Sequence, residues 1–334
     1  VHRLPPRAQI AALVDQFTSD LQSPAAALGL PPAGSRAGQE LARILLPGGA
    51  PAGRLIVVPD GILYHLPFEA LPLGAGYLVE EHEVAYVPSA TTLRLLRGGV
   101  PSAASKAFLG VGNPLPALPL EGFPALPFSA QEVERAAAHF PPTERRVLLG
   151  AAATKQALQD LDLADYRTLH FATHGRIDET VPSRSGILLS RRDGAAGERF
   201  LTLNEIFHLE MDANLVVLSA CRSRRGRLMR GEGLVGITRG LFYAGARSVI
   251  VSLWNVNDRS TADFMDVFYG ELGRGSSVAG ALRRAKLDFL THRRPGYRGT
   301  TRWAPFLLIG DPDAGKVNPP PGAPTIHSEG GWFR

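Results

Sequence analysis

Two stretches near the amino terminus carry apolar residues at the spacing of amphipathic helices. They are AQIAALVDQFTSDLQ, which starts at residue 8, and GQELARILL, which starts at residue 38. The connecting run SPAAALGLPPAGSRAG is rich in Pro, Gly and Ala and predicts a loop. Residues 1–50 are therefore expected to form a short helical region ahead of the main fold.

From residue 54 onward, short apolar runs alternate with helix-like segments. Nine runs predict strands, namely RLIVVPDG, HEVAYVPSA, AFLGVG, RRVLLG, TLHFATHG, GILLS, LVVLSA, RSVIVSLW and PFLLIG. Several are apolar at every position, which is typical of strands buried on both faces of a sheet. Four segments predict crossover helices, namely SAQEVERAAAHF, TKQALQDL, LVGITRGLFYAG and SVAGALRRAKLDFL. This alternation predicts an α/β sandwich with a mostly parallel sheet.

Composition narrows the class of protein. The chain has 334 residues, 45% hydrophobic and 20% charged, which is typical of a folded globular protein. A single cysteine forms no internal disulfide, and no apolar run reaches membrane-spanning length, so we expect a cytoplasmic protein that makes no membrane contact. A first residue of Val suggests a fragment of a longer chain. The net charge of +5 is modest, and no aromatic platform accompanies it, so we do not expect direct nucleic-acid binding to be the function.

Three motif matches carry weak signals. GDPDAGKV resembles a phosphate loop, but its aspartates would repel phosphate and its last residue, Val317, cannot ligate magnesium. GEGLVG, starting at Gly231, fits a dinucleotide fingerprint only formally because an arginine-rich stretch separates it from the preceding strand. It keeps nucleotide binding open as an alternative. HFATH places His170 and His174 on one side of a predicted strand, but no third metal ligand follows at a suitable spacing.

The strongest chemical signal is a histidine and a cysteine at the ends of two predicted strands. TLHFATHG ends near His174 and LVVLSAC ends at Cys221, 47 residues later. Because ligands and chemistry gather at the carboxyl ends of parallel strands, neighbouring strands would bring both side chains to one edge. The histidine can deprotonate the thiol and later protonate the leaving amine. The backbone N–H groups of Gly175 and Cys221 are candidates for the oxyanion hole. A buried small hydrophobe is the alternative for a single cysteine.

Long ordered stretches resemble the CHAT family, bacterial relatives of caspases and separases. They are HFATHG, LSACRSRRG, GEGLVGITRGLFYAGARSVIVSLWNVND, WAPFLLIGDP and, upstream, RLIVVPDGILYHLPFEALPL and VAYVPSATTLRLL. The resemblance implies a caspase-like three-layer sandwich. It predicts a CHAT domain over residues 51–315, with an amino-terminal half (51–150) and a half that carries the dyad (151–315), followed by a Pro/Gly-rich tail (316–334).

The resemblance also assigns roles to residues. It implies a cysteine endopeptidase with His174 as general base and acid, Cys221 as nucleophile, and neither metal nor organic cofactor. Asp258 and Asp263 become candidates for a pocket that accepts a basic residue before the cut, with Trp254 as a candidate lining residue. A loop cap or a structural hydrogen bond is the alternative for Asp258.

At position 222 the chain differs from the CHAT family, which commonly has Glu after the cysteine where this chain has Arg222. A positive field there favours thiolate and acidic groups on a substrate or partner. The arginine-rich loop 222–230 is itself a candidate for self-cleavage. We therefore expect a peptidase that acts on a specific protein substrate under the control of a sensor or helical-repeat partner. A catalytically silent CHAT-like scaffold is the alternative.

Overall fold

The computed structural model describes most of the chain. The described residues are 3–28, 35–99, 102–114, 123, 125–178, 181–191, 199–223, 232–292 and 295–315, with the backbone alone described for residues 177, 182, 220–223, 232–234 and 295. The predicted tail, residues 316–334, lies outside them, as do the arginine-rich positions 224–230.

Strands and helices alternate along the described chain. The strands are β1 (Leu55–Val57), β2 (Pro72–Leu73), β3 (Gly76–Tyr77), β4 (Val84–Tyr86), β5 (Lys106–Gly112), β6 (Arg145–Leu149), β7 (Tyr166–Ile177), β8 (Gly186–Leu188), β9 (Phe200–Thr202), β10 (Leu215–Ser223), β11 (Ser248–Ser252) and β12 (Phe306–Gly310). The helices are α1 (Arg7–Leu21), α2 (Pro24–Ala27), α3 (Arg36–Leu45), α4 (Leu78–Glu81), α5 (Ala90–Gly98), α6 (Ser129–Ala138), α7 (Lys155–Gln159), α8 (Leu203–Phe207), α9 (Glu232–Tyr243), α10 (Asp258–Gly273), α11 (Val278–Thr291) and α12 (Thr300–Trp303).

One mostly parallel sheet organises the fold. Within the described ranges its strand order is β1-β4-β12-β11-β10-β7-β5-β6, and β8 and β9 extend it from β7 as antiparallel strands. Along the main path only β11 and β12 pair antiparallel. All nine predicted apolar runs are strands, so the predicted α/β class with a mostly parallel sheet is confirmed. Strand interiors such as Val216, Val217 and Ile250 are completely buried, as continuous apolar runs require.

Helices cover both faces of the sheet. The β5–α6–β6 and β10–α9–β11 crossovers step in opposite directions along the strand order, so right-handed connections place α6 and α9 on opposite faces. Helix α10 packs against α6 and α11, while α8 packs against α9. These contacts build the predicted three-layer sandwich.

The amino-terminal helices belong to the same hydrophobic core as the sheet. Ile10, Val14 and Phe17 of α1 and Leu41 of α3 are buried in one continuous cluster with the strand side chains. Thr300 on α12 donates a hydrogen bond to the carbonyl oxygen of Leu21 at 2.7 Å. No helix in the described part of the chain combines the length and apolar character needed to cross a membrane.

Candidate active site

Four parallel strands bring their carboxyl ends to one edge of the sheet. There β5 ends at Gly112 and β7 passes through His174, while β10 carries Cys221 and β11 ends at Ser252. Polar residues gather where parallel strands end because backbone groups and following loops are open to a ligand there. This edge is the candidate active site.

His174 and Cys221 lie on neighbouring strands at this edge. Strands β7 and β10 pair in parallel, with Ala220 opposite His174 and Cys221 opposite Gly175. Paired strands lie about 4.8 Å apart, so the two backbones are next to each other despite the 47 positions between them in the sequence. The side chain of Cys221 lies outside the described residues, so the pairing of the two backbones is what the structure supplies.

A β-bulge interrupts β7 just before His174. Between the pairs Leu218–Phe171 and Ala220–His174, β7 advances three residues while β10 advances two. The extra residue breaks the two-residue alternation of side chains. The expectation that His170 and His174 share a face, which assumed regular alternation, therefore does not apply, and the two rings contact different partners.

His170 is a satisfied core histidine. It is completely buried, and its two ring nitrogens lie 2.9 Å from the Tyr269 hydroxyl and 2.9 Å from Glu132 Oε1. Burial, aided by the charge of Glu132, raises the pKa of the Tyr269 hydroxyl well above its ordinary value. These contacts tie β7 to α6 and α10 beneath the candidate site. Within the described ranges no cluster of three or more His, Cys, Asp or Glu residues is arranged to hold a metal ion.

The imidazole of His174 lies in an aromatic environment. The residue is 7% exposed, and its ring meets that of Phe123 edge-on, with 5.4 Å between centroids. Phe123 in turn contacts Phe200 of β9 at 5.6 Å. Sequence reasoning missed both phenylalanines because neither lies in a strand that was expected to carry chemistry.

Gly175, proposed from the sequence as an oxyanion donor, is buried within the sheet. It lies between β10, where Cys221 is its partner, and β8, where Ile187 is its partner. This position brings its backbone next to the backbone of the candidate nucleophile. The donor role of both amides stays a prediction.

Asp258 follows the end of β11 on the same edge and begins α10. Asn257 caps the helix by accepting the N–H of Ser260, and Asp258 accepts the backbone N–H of Phe128 at 2.6 Å. Burial raises the pKa of the Asp258 carboxyl, and the negative charge of Glu132 adds to that rise, while the Phe128 amide opposes it. The structural hydrogen bond considered from the sequence is therefore present.

The other predicted pocket residues have partners within the chain. Asp263 accepts from Arg135 at 2.6 Å and from the Tyr297 hydroxyl at 2.7 Å. Trp254 is 7% exposed, packs in the core and donates its indole N–H to the carbonyl oxygen of Thr301. The side chain of Arg222 lies outside the described residues.

A turn directly after β5 connects this edge of the sheet to the start of α6. Asn113 has a φ of 48°, in the left-handed region, and its N–H donates to Ser129 Oγ at 3.0 Å. Asparagine tolerates this conformation better than most residues. A sequence signal for this turn exists, since Asn113 directly follows a predicted strand.

A family model named CHAT domain matches residues 35–311, which is most of the chain. The chain belongs to the CHAT domain family. The match confirms the resemblance seen in the sequence motifs, and it begins just before α3, inside the predicted helical region.

Relatives of this CHAT chain include a much longer protein. Tetratricopeptide repeat protein 28 from Homo sapiens is 28% identical over 313 residues, which covers 80% of this chain but 12% of that protein. The same protein from Mus musculus matches equally, at 28% identity with the same coverage. This chain therefore spans about an eighth of the length of these relatives.

Two solved structures are similar to this chain, and one of them exceeds a TM-score of 0.5. The complex of the Porphyromonas gingivalis RgpB pro- and mature domains matches with a TM-score of 0.51 and 12% identity, covering 93% of this chain and 78% of that one. A Saccharomyces cerevisiae separase–securin complex matches with a TM-score of 0.48 and 16% identity, covering 75% of this chain and 15% of that one. The similarity to the RgpB domains concerns the fold alone.

Proposed function

We propose that this CHAT domain is a cysteine endopeptidase that acts through Cys221 and His174. The observation that carries the proposal is the parallel pairing of β7 and β10, which sets Ala220 opposite His174 and Cys221 opposite Gly175 at the carboxyl edge of the sheet. Thiol-dependent acyl transfer needs an imidazole within reach of a cysteine thiol, and the pairing of these strands supports the proposal by setting the two backbones next to each other.

The proposed reaction has two stages. His174 takes the thiol proton, and the thiolate attacks the substrate carbonyl to give a tetrahedral intermediate held by the amides of Gly175 and Cys221. The C–N bond then breaks as the imidazolium gives its proton to the leaving amine, which leaves a thioester. Water, deprotonated by His174, hydrolyses the thioester and releases the free thiol.

The proposed substrate is a specific protein cut after a basic residue. Asp258 supports this proposal because it is half-buried at the candidate edge, and its hydrogen bond to the Phe128 N–H engages Oδ2 rather than both carboxylate oxygens. Asp263 offers less support, since Arg135 and Tyr297 engage both of its oxygens. Trp254 and Arg222 remain proposed substrate contacts.

A helical-repeat region is the proposed regulatory partner. The support is the 28% identity to tetratricopeptide repeat protein 28, a protein whose name denotes helical repeats and of which this chain matches 12%. The same similarity to a repeat protein supports the second candidate function, a catalytically silent scaffold.

Cleavage of a peptide library tests the proposal. The wild-type chain is expected to cut selectively after Arg or Lys, while Cys221→Ala and His174→Ala are expected to lose cleavage. His208→Ala is the matched control, because this exposed histidine lies just after α8 and its Nδ1 is 2.7 Å from the Asn204 carbonyl oxygen of that helix. Cutting by Cys221→Ala would rule out the mechanism, and no cutting by the wild type would favour the scaffold.

Self-cleavage of the arginine-rich loop is a separate proposal. If the pocket accepts arginine, residues 222–230 are an available substrate of the same site. Intact-mass measurement after long incubation is expected to show clipping of the wild type and none of Cys221→Ala. A full-length, unclipped mass for both proteins would reject self-cleavage and leave the peptidase proposal to the library experiment.

A further inference from the structure

Four side chains form a continuous row of contacts that ends on the imidazole of the candidate dyad. The guanidinium of Arg176 lies 3.8 Å above the centroid of the Phe200 ring. Phe200 meets Phe123 at 5.6 Å, and Phe123 meets His174 at 5.4 Å with the ring planes 66° apart. Aromatic rings at these separations attract each other beyond simple burial.

The outer end of this row of contacts, formed by Arg176 and Phe200, is fixed by the sheet. Phe200 is 5% exposed and sits in β9, where it pairs with Leu188 of β8. Arg176, two residues after His174 on β7, donates from Nε and Nη2 to the carbonyl oxygen of Arg184. Phe123 therefore packs against a side chain, Phe200, that is itself held by β9 and by Arg176.

The inner end is tied to the same edge by hydrogen bonds that follow Phe123 in the chain. Asp258 accepts the N–H of Phe128. Ser129 donates its hydroxyl to the Leu126 carbonyl oxygen at 2.7 Å and accepts the N–H of Asn113. Residues 126–129 are thus held to the turn after β5 and to the start of α10, which limits how far Phe123 can move from His174.

The contact with Phe123 can restrict the orientation of the imidazole. A histidine side chain rotates about two torsions. Because His174 follows a bulge in β7, the regular alternation of strand side chains does not fix the direction in which it leaves the backbone. A ring that contacts one side of the imidazole restricts these rotations. An acid–base group must hold its proton-accepting nitrogen within hydrogen-bond reach of the nucleophile.

We propose that Phe123 is a positioning residue for His174, holding its imidazole in the orientation that reaches the thiol of Cys221. The proposal rests on the proposed function, because it assigns the dyad its support. It requires an aromatic ring at position 123, since the edge-on contact with His174 and the contact with Phe200 both depend on one.

The rate of Cys221 alkylation by iodoacetamide tests this proposal without a known substrate. Cys221 is the single cysteine of the chain, so all cysteine alkylation, located by peptide mapping, reports on it. At about pH 6.5 an unassisted thiol is roughly 1% thiolate, so an imidazole in reach is expected to raise the rate about tenfold or more over His174→Ala. Phe123→Leu is expected to react at least about fivefold more slowly than the wild type. Phe123→Tyr is expected to react within about twofold of the wild-type rate.

Controls separate positioning from general loosening of the fold. Phe207→Leu removes another half-buried phenylalanine, one that contacts Tyr243 rather than His174, and is expected to react like the wild type. Thermal unfolding checks that each variant is folded, and Phe123→Met replaces the leucine variant if that one unfolds.

Two results would overturn the proposal: one removes only the positioning role of Phe123, and the other removes the dyad as well. If His174→Ala slows alkylation but Phe123→Leu and Phe123→Met react like the wild type, Phe123 has no positioning role while the dyad stands. If His174→Ala reacts as fast as the wild type, the dyad itself fails, and the positioning role falls with it.

Discussion

At the scale of single residues, Asp258 shows how one carboxylate holds the candidate edge together. It accepts the Phe128 N–H, and through that amide it fixes the segment that follows Phe123. Removing the acceptor would leave a partly buried amide without its partner, which costs about 1–3 kcal/mol in proteins.

Substitutions at Asp258 are expected to separate its hydrogen bond from its charge. Asp258→Ala should lower the free energy of unfolding by about 1–2 kcal/mol, because the Phe128 amide loses its acceptor. Asp258→Asn keeps an acceptor oxygen and should be close to the wild type. Urea unfolding at neutral pH measures both, and equal losses for the two variants would contradict a hydrogen-bonding role.

The pH dependence follows from the raised pKa of Asp258. Burial favours the protonated form in the folded chain, so this carboxyl adds stability below its unfolded pKa, and that contribution is lost as pH rises through the folded pKa. Asp258→Asn lacks this loss. Its stability relative to the wild type is therefore expected to increase with pH just above 3.8 and then level off, in unfolding curves measured across that window.

The positions of His174 and Cys221 near the ends of strands followed from the sequence, whereas the surroundings of His174 did not. Strand ends are visible in the apolar pattern and chemistry gathers at them, so these two residues could be singled out, while their catalytic roles stay a proposal. The contact between Phe123 and His174 was not predictable, because it depends on a bulge and on β9, neither of which the apolar pattern reveals. The pairing of Asp263 with Arg135 also depends on how α6 and α10 pack.

At the scale of elements, a buried ion pair joins the two halves of the chain. Lys286 of α11 lies 2.7 Å from Glu69 Oε1, and Tyr86 of β4 donates to Glu69 Oε2 at 2.5 Å. All three side chains are nearly completely buried. Burial lowers the pKa of Lys286, and the charge of Glu69 opposes that change. The group links the amino-terminal strands to the carboxyl-terminal helix layer.

Breaking this pair is expected to be costly. Lys286→Met leaves the Glu69 charge buried without its cation, so the free energy of unfolding should fall by about 3–5 kcal/mol. The double variant Glu69→Gln/Lys286→Met should lose less than the sum of the single changes, because neither charge is then orphaned. Arg284→Met, on the exposed side of α11, is the control with little expected change. Additive losses in urea unfolding would contradict the coupling.

The apolar pattern predicted strands better than helices. Every predicted run became a strand, because burial on both sheet faces imposes a continuous apolar signature. Helix α10 was missed, although Asn257 supplies a capping signal at its start. Its buried positions include adjacent pairs such as Phe264 with Met265 and Phe268 with Tyr269, since it packs against α6 and α11. That double contact widens the apolar stripe.

At the scale of the whole molecule, parallel strand topology gives a CHAT chain its candidate site. The strand order places β7 next to β10, and every strand from β5 to β11 along that path points its carboxyl end to one edge. The class of fold and this edge were predictable from the sequence. The order of strands was not readable from periodicity, because which strands pair depends on how the crossover helices pack.

Covalent trapping of Cys221 is the most direct measurement of the dyad. A peptidyl chloromethyl ketone with arginine next to the warhead loses chloride as the thiolate forms a carbon–sulfur bond, and intact mass with peptide mapping locates the adduct. We expect rapid modification of Cys221 in the wild type and in His208→Ala, at least about 100-fold slower modification in His174→Ala, and no modification in Cys221→Ala. Equal rates in the wild type and His174→Ala would contradict the central claim.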